Sequence, residues 1–66
     1  MPFINIRIVQ GQSDENKSLM ARLIARTIMD VTGLPEDAVW IVFEDVAAEH
    51  WYVGESSIRE LEGSSP

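Results

Sequence analysis

Apolar and polar positions alternate along the first residues of the chain. Ile4, Ile6 and Ile8 share one parity, and Phe3, Asn5, Arg7 and Val9 share the other. A period of two over residues 2–9 predicts a strand with one apolar face and one mixed face. Gly11 ends it, and the period changes. Leu19, Met20, Leu23, Ile24, Thr27, Ile28 and Val31 recur at three- and four-residue spacing, which predicts one amphipathic helix of about five turns. Ser13 supplies an N-cap oxygen, and Asp14 and Glu15 favour the positive end of the helix dipole. Gly33 suits a left-handed C-terminal cap, Pro35 prevents continuation, and Asp37 is expected to cap a short turn. Val39-Trp40-Ile41-Val42-Phe43 is then apolar on both parities before Glu44 and Asp45 close it, the pattern of a strand covered on both faces.

That second strand sets a problem of cover. The helix takes one face of a two-strand sheet, and no second helix is predicted for the other, so another subunit is expected there. A crossover helix between two strands makes them parallel with a right-handed connection. The expected fold class is α+β, a β-α-β unit completed by oligomerisation. His50-Trp51-Tyr52-Val53, stopped by Gly54, is expected to form a short C-terminal hairpin strand docking on a neighbour. Residues 1–66 read as one domain, with 62–66 as a flexible tail.

Size points the same way. A chain of 66 residues buries only about 60% of its unfolded surface, and domains this small commonly rely on disulfides, metal or assembly. There is no cysteine, and one histidine, His50, does not make a zinc site. Neither a metal nor a cofactor is expected, which leaves assembly. The net charge of −6, with only five basic residues, disfavours nucleic acid as a partner. No apolar run reaches the roughly 20 residues of a membrane span, and the N-terminus alternates instead of showing a signal-peptide pattern. The expected location is the cytoplasm. Asn16-Lys17-Ser18 matches a glycosylation pattern that carries no meaning without secretion.

The residue after the initiator methionine is Pro2. Methionine is removable before a small second residue, and its removal leaves Pro2 with a free secondary amine. An α-amino group titrates near 7.7–8.0 in the open, roughly, and burial against apolar walls such as Phe3, Trp40 and Trp51 lowers it. A neutral amine near pH 7 is a good general base, and the ring fixes φ so that the nitrogen is aimed by the strand.

Pro2, the alternating strand, Gly11, Ser13-Asp14-Glu15-x-Lys17 opening a helix, Gly33-x-Pro35 before an apolar strand, and His50-Trp51 with Gly54 together resemble the 4-oxalocrotonate tautomerase family over residues 2–57. The resemblance implies a β-α-β subunit that pairs into a dimer with a four-stranded sheet backed by two helices, and a hexamer of three dimers. It implies Pro2 as the catalytic proline, moving a proton between the hydroxyl and carbon ends of an enol, and Trp51 as an aromatic residue lining the pocket. Two family arginines that hold a dicarboxylate are absent: Gln12 and Trp40 stand at their positions. The carboxylate that activates water in one dehalogenase branch falls on Val53, so hydration chemistry is unsupported. That branch does carry an aromatic where Trp40 stands.

Charge-assisted hydrogen bonds are about twice as strong as neutral ones, so the loss of both arginines weakens binding of a doubly charged substrate. The expected substrate is a 2-hydroxydienoate or enolpyruvate-like carboxylate, with Gln12 as a neutral donor and Trp40 and Trp51 shaping an apolar pocket. Three readings stay open. One is a homo-oligomeric isomerase, another a catalytically weak subunit of a hetero-hexamer whose partner supplies the arginines, and the third an oligomer that binds a small aromatic ligand without turnover. Arg7, by parity opposite Ile4, Ile6, Ile8 and Pro2, reads as a surface or interface charge. Arg22 and Arg26 read as solvent-facing helix residues pairing with acids such as Asp30. His50 reads as a surface histidine. Glu44 and Asp45 are adjacent on a strand and point to opposite faces, so they do not share a site.

Overall fold

The computed structural model describes residues 2–63. Strand β1 (Phe3–Val9) leads to helix α1 (Asp14–Thr32), a 3-10 turn at Glu36–Ala38, and strand β2 (Trp40–Val46). A second 3-10 turn at Ala48–His50 precedes strands β3 (Tyr52–Val53) and β4 (Ser56–Ser57) and helix α2 (Ile58–Gly63). β1 and β2 are parallel in a register that sets Phe3 beside Trp40, Ile6 beside Phe43 and Arg7 beside Glu44. β3 and β4 form an antiparallel hairpin. The β-α-β unit and the hairpin stand as the sequence indicates.

Both ends of α1 follow from local chemistry. Ser13 Oγ accepts from the Asn16 amide at 3.0 Å, and Gly33 takes φ 75° while its N–H donates to Met29 O. A side chain at that φ is strained by roughly 1–2 kcal/mol. Gly33→Ala is expected to lower unfolding stability by about 1 kcal/mol with no change in the chemistry of the site, read as a shifted urea midpoint at constant slope. The expected Asp37 cap is not formed. Asp37 lies inside the 3-10 turn, whose N-cap Pro35 brings no side-chain acceptor.

The sheet has two unlike faces. Ile4, Ile6 and Ile8 of β1, with Ile41 and Phe43 of β2, are partly covered under α1, against Met20, Ala21, Ile24, Ala25, Ile28 and Met29. Lys17 Nζ ties the first turn of α1 to Asp45 Oδ2 at 2.7 Å. On the opposite face Phe3, Trp40 and Val42 are exposed, Phe3 by 64% and Trp40 by 56%. In the middle of that face Asn5 Nδ2 donates to Glu44 Oε1 at 2.7 Å, and Arg7 pairs with Glu44 at 3.5 Å. Glu44 and Asp45 are thus engaged on opposite sides of the sheet, as their adjacency requires.

The helix stripe is wider than two strands can cover. Leu19, Leu23 and Val31 stay exposed, and a groove of about 260 Å³ opens along Leu23, Ile24, Thr27 and Ile28. Thr27 Oγ1 donates back to Leu23 O at 2.9 Å, so its hydroxyl is satisfied within the helix. Among the described residues Arg22 and Arg26 make no ion pair, and the expected contact with Asp30 is not formed.

The hairpin turns through Gly54, at φ 65°, the first residue of a two-residue loop where positive φ matches the strand twist. Ser57, nearly buried, caps α2 by accepting from the Glu60 amide at 3.2 Å. Arg59 reaches back to Glu49, and the turn's own backbone together with that guanidinium holds the Glu49 carboxyl below the usual carboxylate range. α2 takes in Glu62 and Gly63, the first two residues of the expected tail, and the remaining three lie outside the described residues. This C-terminal arm packs chiefly on its own 3-10 turn.

The chain by itself is extended. Its radius of gyration is 15.4 Å, where a compact 66-residue domain has roughly 11 Å. Its accessible surface is 5091 Å², against roughly 4,200 Å² for a compact monomer of this mass. Ala48 is the only buried apolar residue among those described. The described residues of the chain close no hydrophobic core by themselves.

Candidate active site

Pro2 stands at the head of β1. Its carbonyl accepts from the Trp40 N–H at 3.1 Å, which fixes the residue against the start of β2. Trp40 and Phe3 are register partners on the open sheet face, and Pro2 has the opposite parity, that of Ile4. A nitrogen held here by a ring of fixed φ has a defined direction.

Gln12 lies elsewhere. It follows the C-terminal end of β1, where Gln10 N donates to Val46 O at 2.9 Å. At about 3.3 Å per residue the strand alone sets roughly 20 Å between its two ends. Trp51 is attached to the same end as Gln12, five residues beyond Val46, and its carbonyl accepts from Ile58 N at 2.7 Å. The four sequence-predicted site residues therefore fall into two groups within one chain: Pro2 with Trp40 at one end of the sheet, Gln12 and Trp51 at the other. Phe3 joins the first group.

The second group has one notable polar contact. Gln12 Oε1 accepts from Asn16 Nδ2 at 3.1 Å, four residues on. The Gln12 Nε2 hydrogens point away from that contact and remain available as donors. Sequence reasoning met Asn16 only in a glycosylation pattern and not as a site residue. Its signal was the four-residue spacing to Gln12, which places the two side chains on one flank of the helix start.

His50 is exposed in the second 3-10 turn, and no cluster of three or more metal-ligating side chains occurs among the described residues. Among the described residues, no helix is long and apolar enough to cross a membrane.

Comparison with known proteins places this parallel β-α-β unit among the small tautomerases. The family model described as tautomerase enzyme matches residues 2–61, and the chain belongs to that family. It is 31% identical over 61 residues to the 2-hydroxymuconate tautomerase of Comamonas testosteroni, covering 92% of this chain and 97% of that one. Among solved structures, TomN, a 4-oxalocrotonate tautomerase homologue in the tomaymycin biosynthetic pathway, superposes with a TM-score of 0.90 at 25% identity, over 96% of this chain and 97% of that one. A heterohexameric 4-oxalocrotonate tautomerase from Chloroflexus aurantiacus gives 0.84 at 30% identity, over 92% and 98%.

Proposed function

We propose that the protein is an isomerase that interconverts the enol and keto forms of a small carboxylate, with Pro2 as general base and then general acid. The observation that carries this reading is the position of Pro2, anchored through its carbonyl at the head of β1 beside Trp40 and Phe3. Once Met1 is removed, the neutral amine takes the proton of the 2-hydroxyl. The O–H pair becomes the carbonyl π bond, and the former C2=C3 pair collects the proton at C3. The amine is regenerated, and no cofactor enters the balance.

Charge develops on the 2-oxygen during this transfer, and a donor placed there lowers the barrier. Gln12 Nε2 is the donor assigned to it or to the adjacent carboxylate, and Trp40 and Trp51 shape the apolar walls. These groups lie at opposite ends of one chain, so the site is assembled from two chains. Antiparallel pairing of the free edges of two β1 strands brings Pro2 of one beside Gln12 of the other. The uncovered sheet face, the apolar groove on α1 and the unclosed core support further assembly into a homo-hexamer. The heterohexamer of the Chloroflexus aurantiacus relative keeps a second reading in view, in which a related chain brings the cations this one lacks.

The test is ketonisation of phenylenolpyruvate followed by ultraviolet absorbance, with intact mass confirming that Met1 is absent. The expected result is turnover by this chain alone. No turnover by Met-free protein, with turnover restored on adding a related tautomerase chain, would select the hetero-oligomer. No turnover with either would leave a ligand-binding role.

A further inference from the structure

We propose that Asn16 is a positioning residue that fixes the Gln12 amide as a hydrogen-bond donor, so that the pocket takes a substrate with one carboxylate rather than two. The inference rests on the reading of Gln12 as a substrate-binding residue. A glutamine amide carries an acceptor at one atom and donors at the other, and an untethered side chain presents either. The structure has one of these two orientations. Asn16 Nδ2 donates to Gln12 Oε1 at 3.1 Å, which turns the oxygen toward the helix and leaves Nε2 facing outward. Asn16 is itself fixed by the helix cap, its backbone N–H donating to Ser13 Oγ at 3.0 Å.

The surrounding charge limits what this donor can hold. The two cations nearest along the chain are each five residues away: Lys17, whose Nζ is engaged by Asp45 Oδ2 at 2.7 Å with only 20% of the side chain exposed, and Arg7, which pairs with Glu44 at 3.5 Å. Asp14 and Glu15 occupy the first turn beside Gln12. One carboxylate or carbonyl oxygen finds the outward Nε2–H. Among the described residues of this chain, a second carboxylate at this end finds two acids, while Lys17 and Arg7 are already paired, and like charges brought together without a counter-ion cost binding.

The experiment compares native protein with Asn16→Ala, Asn16→Asp, Gln12→Met and the double variant Gln12→Met/Asn16→Asp, using KM and kcat for phenylenolpyruvate. An aspartate at position 16 only accepts, so it draws Gln12 Nε2 inward and presents Oε1 to the substrate. Asn16→Asp is expected to raise KM about tenfold with kcat little changed, and Asn16→Ala about two- to threefold, the range spanned by one hydrogen bond. In the Gln12→Met background Asn16→Asp is expected to add nothing. The same comparison is read without turnover by titrating ¹⁵N-labelled protein with benzoate: the Gln12 side-chain amide signal moves in native protein and not in Asn16→Asp. A KM or benzoate effect in Gln12→Met but none in either Asn16 variant overturns the positioning role alone. A rise in KM from Asn16→Asp that persists in Gln12→Met shows direct repulsion and overturns it too. An unaltered KM in Gln12→Met removes the reading of Gln12 on which it stands.

Discussion

Pro2→Ala will lower turnover of phenylenolpyruvate by about a hundredfold or more while leaving assembly and stability close to native. General acid–base catalysis by a positioned group contributes roughly 10²–10⁴-fold, and alanine keeps an amine but loses the ring that aims it. The fold should survive, because the contact that anchors this residue is made by its carbonyl to Trp40 N, which alanine retains. Retention of Met1 is expected to abolish turnover for a different reason: the Pro2 nitrogen becomes an amide and has no lone pair free for a proton. The two results together separate aim from basicity. The acid limb of the pH–rate profile of the free enzyme reports the same amine. A drop of less than about threefold in Pro2→Ala, with Met1 shown absent, would place the proton transfer on another group.

The elements that carry strong periodicity were legible from the chain alone. β1 shows period two, α1 shows spacings of three and four between a serine cap and a glycine cap, and β2 is apolar on both parities. Helix α2 was missed, although Ser57-Ile58-Arg59-Glu60 has the spacing of a capping box, and Ser57 Oγ does accept from Glu60 N. The segment is short and follows a hairpin turn, so its apolar pattern is too brief to show a period. The exposed edge of α1 was hidden for another reason. Leu19, Leu23 and Val31 belong to one stripe with Ile24 and Ile28, and periodicity does not say how many strands lie beneath it. Grouping Pro2 with Gln12 came from the resemblance. Strand length decided against their meeting in one chain, since residues 2–9 in extended form already separate them.

That separation leads to the second large effect. Mixing two inactive variants, Pro2→Ala and Gln12→Glu, by unfolding and refolding them together will restore activity that neither shows alone. Gln12→Glu places a negative charge against the substrate carboxylate and is expected to be severely impaired, since like-charge juxtaposition costs several kcal/mol. If Pro2 comes from one chain and Gln12 from its two-fold partner, equal mixing leaves about a quarter of the composite sites with both groups native. If both groups came from the same chain, no site in the mixture would hold both. The expected outcome is therefore turnover near a quarter of native, with native KM, in protein whose mixed composition is verified by mass. Refolding each variant alone controls for folding losses. A mixture no more active than its parents would show that the two ends of the sheet do not meet across subunits. The two-fold arrangement also assigns the uncovered surface. In the proposed dimer antiparallel β1 edges would close the sheet, the Leu23–Ile28 grooves of the two helices would be open to cover, and Phe3, Trp40 and Val42 would be left for the pocket and for contact between dimers. The Leu23–Ile28 groove and the Phe3, Trp40 and Val42 patch are apolar and open in the isolated chain, and the proposed arrangement gives each a place.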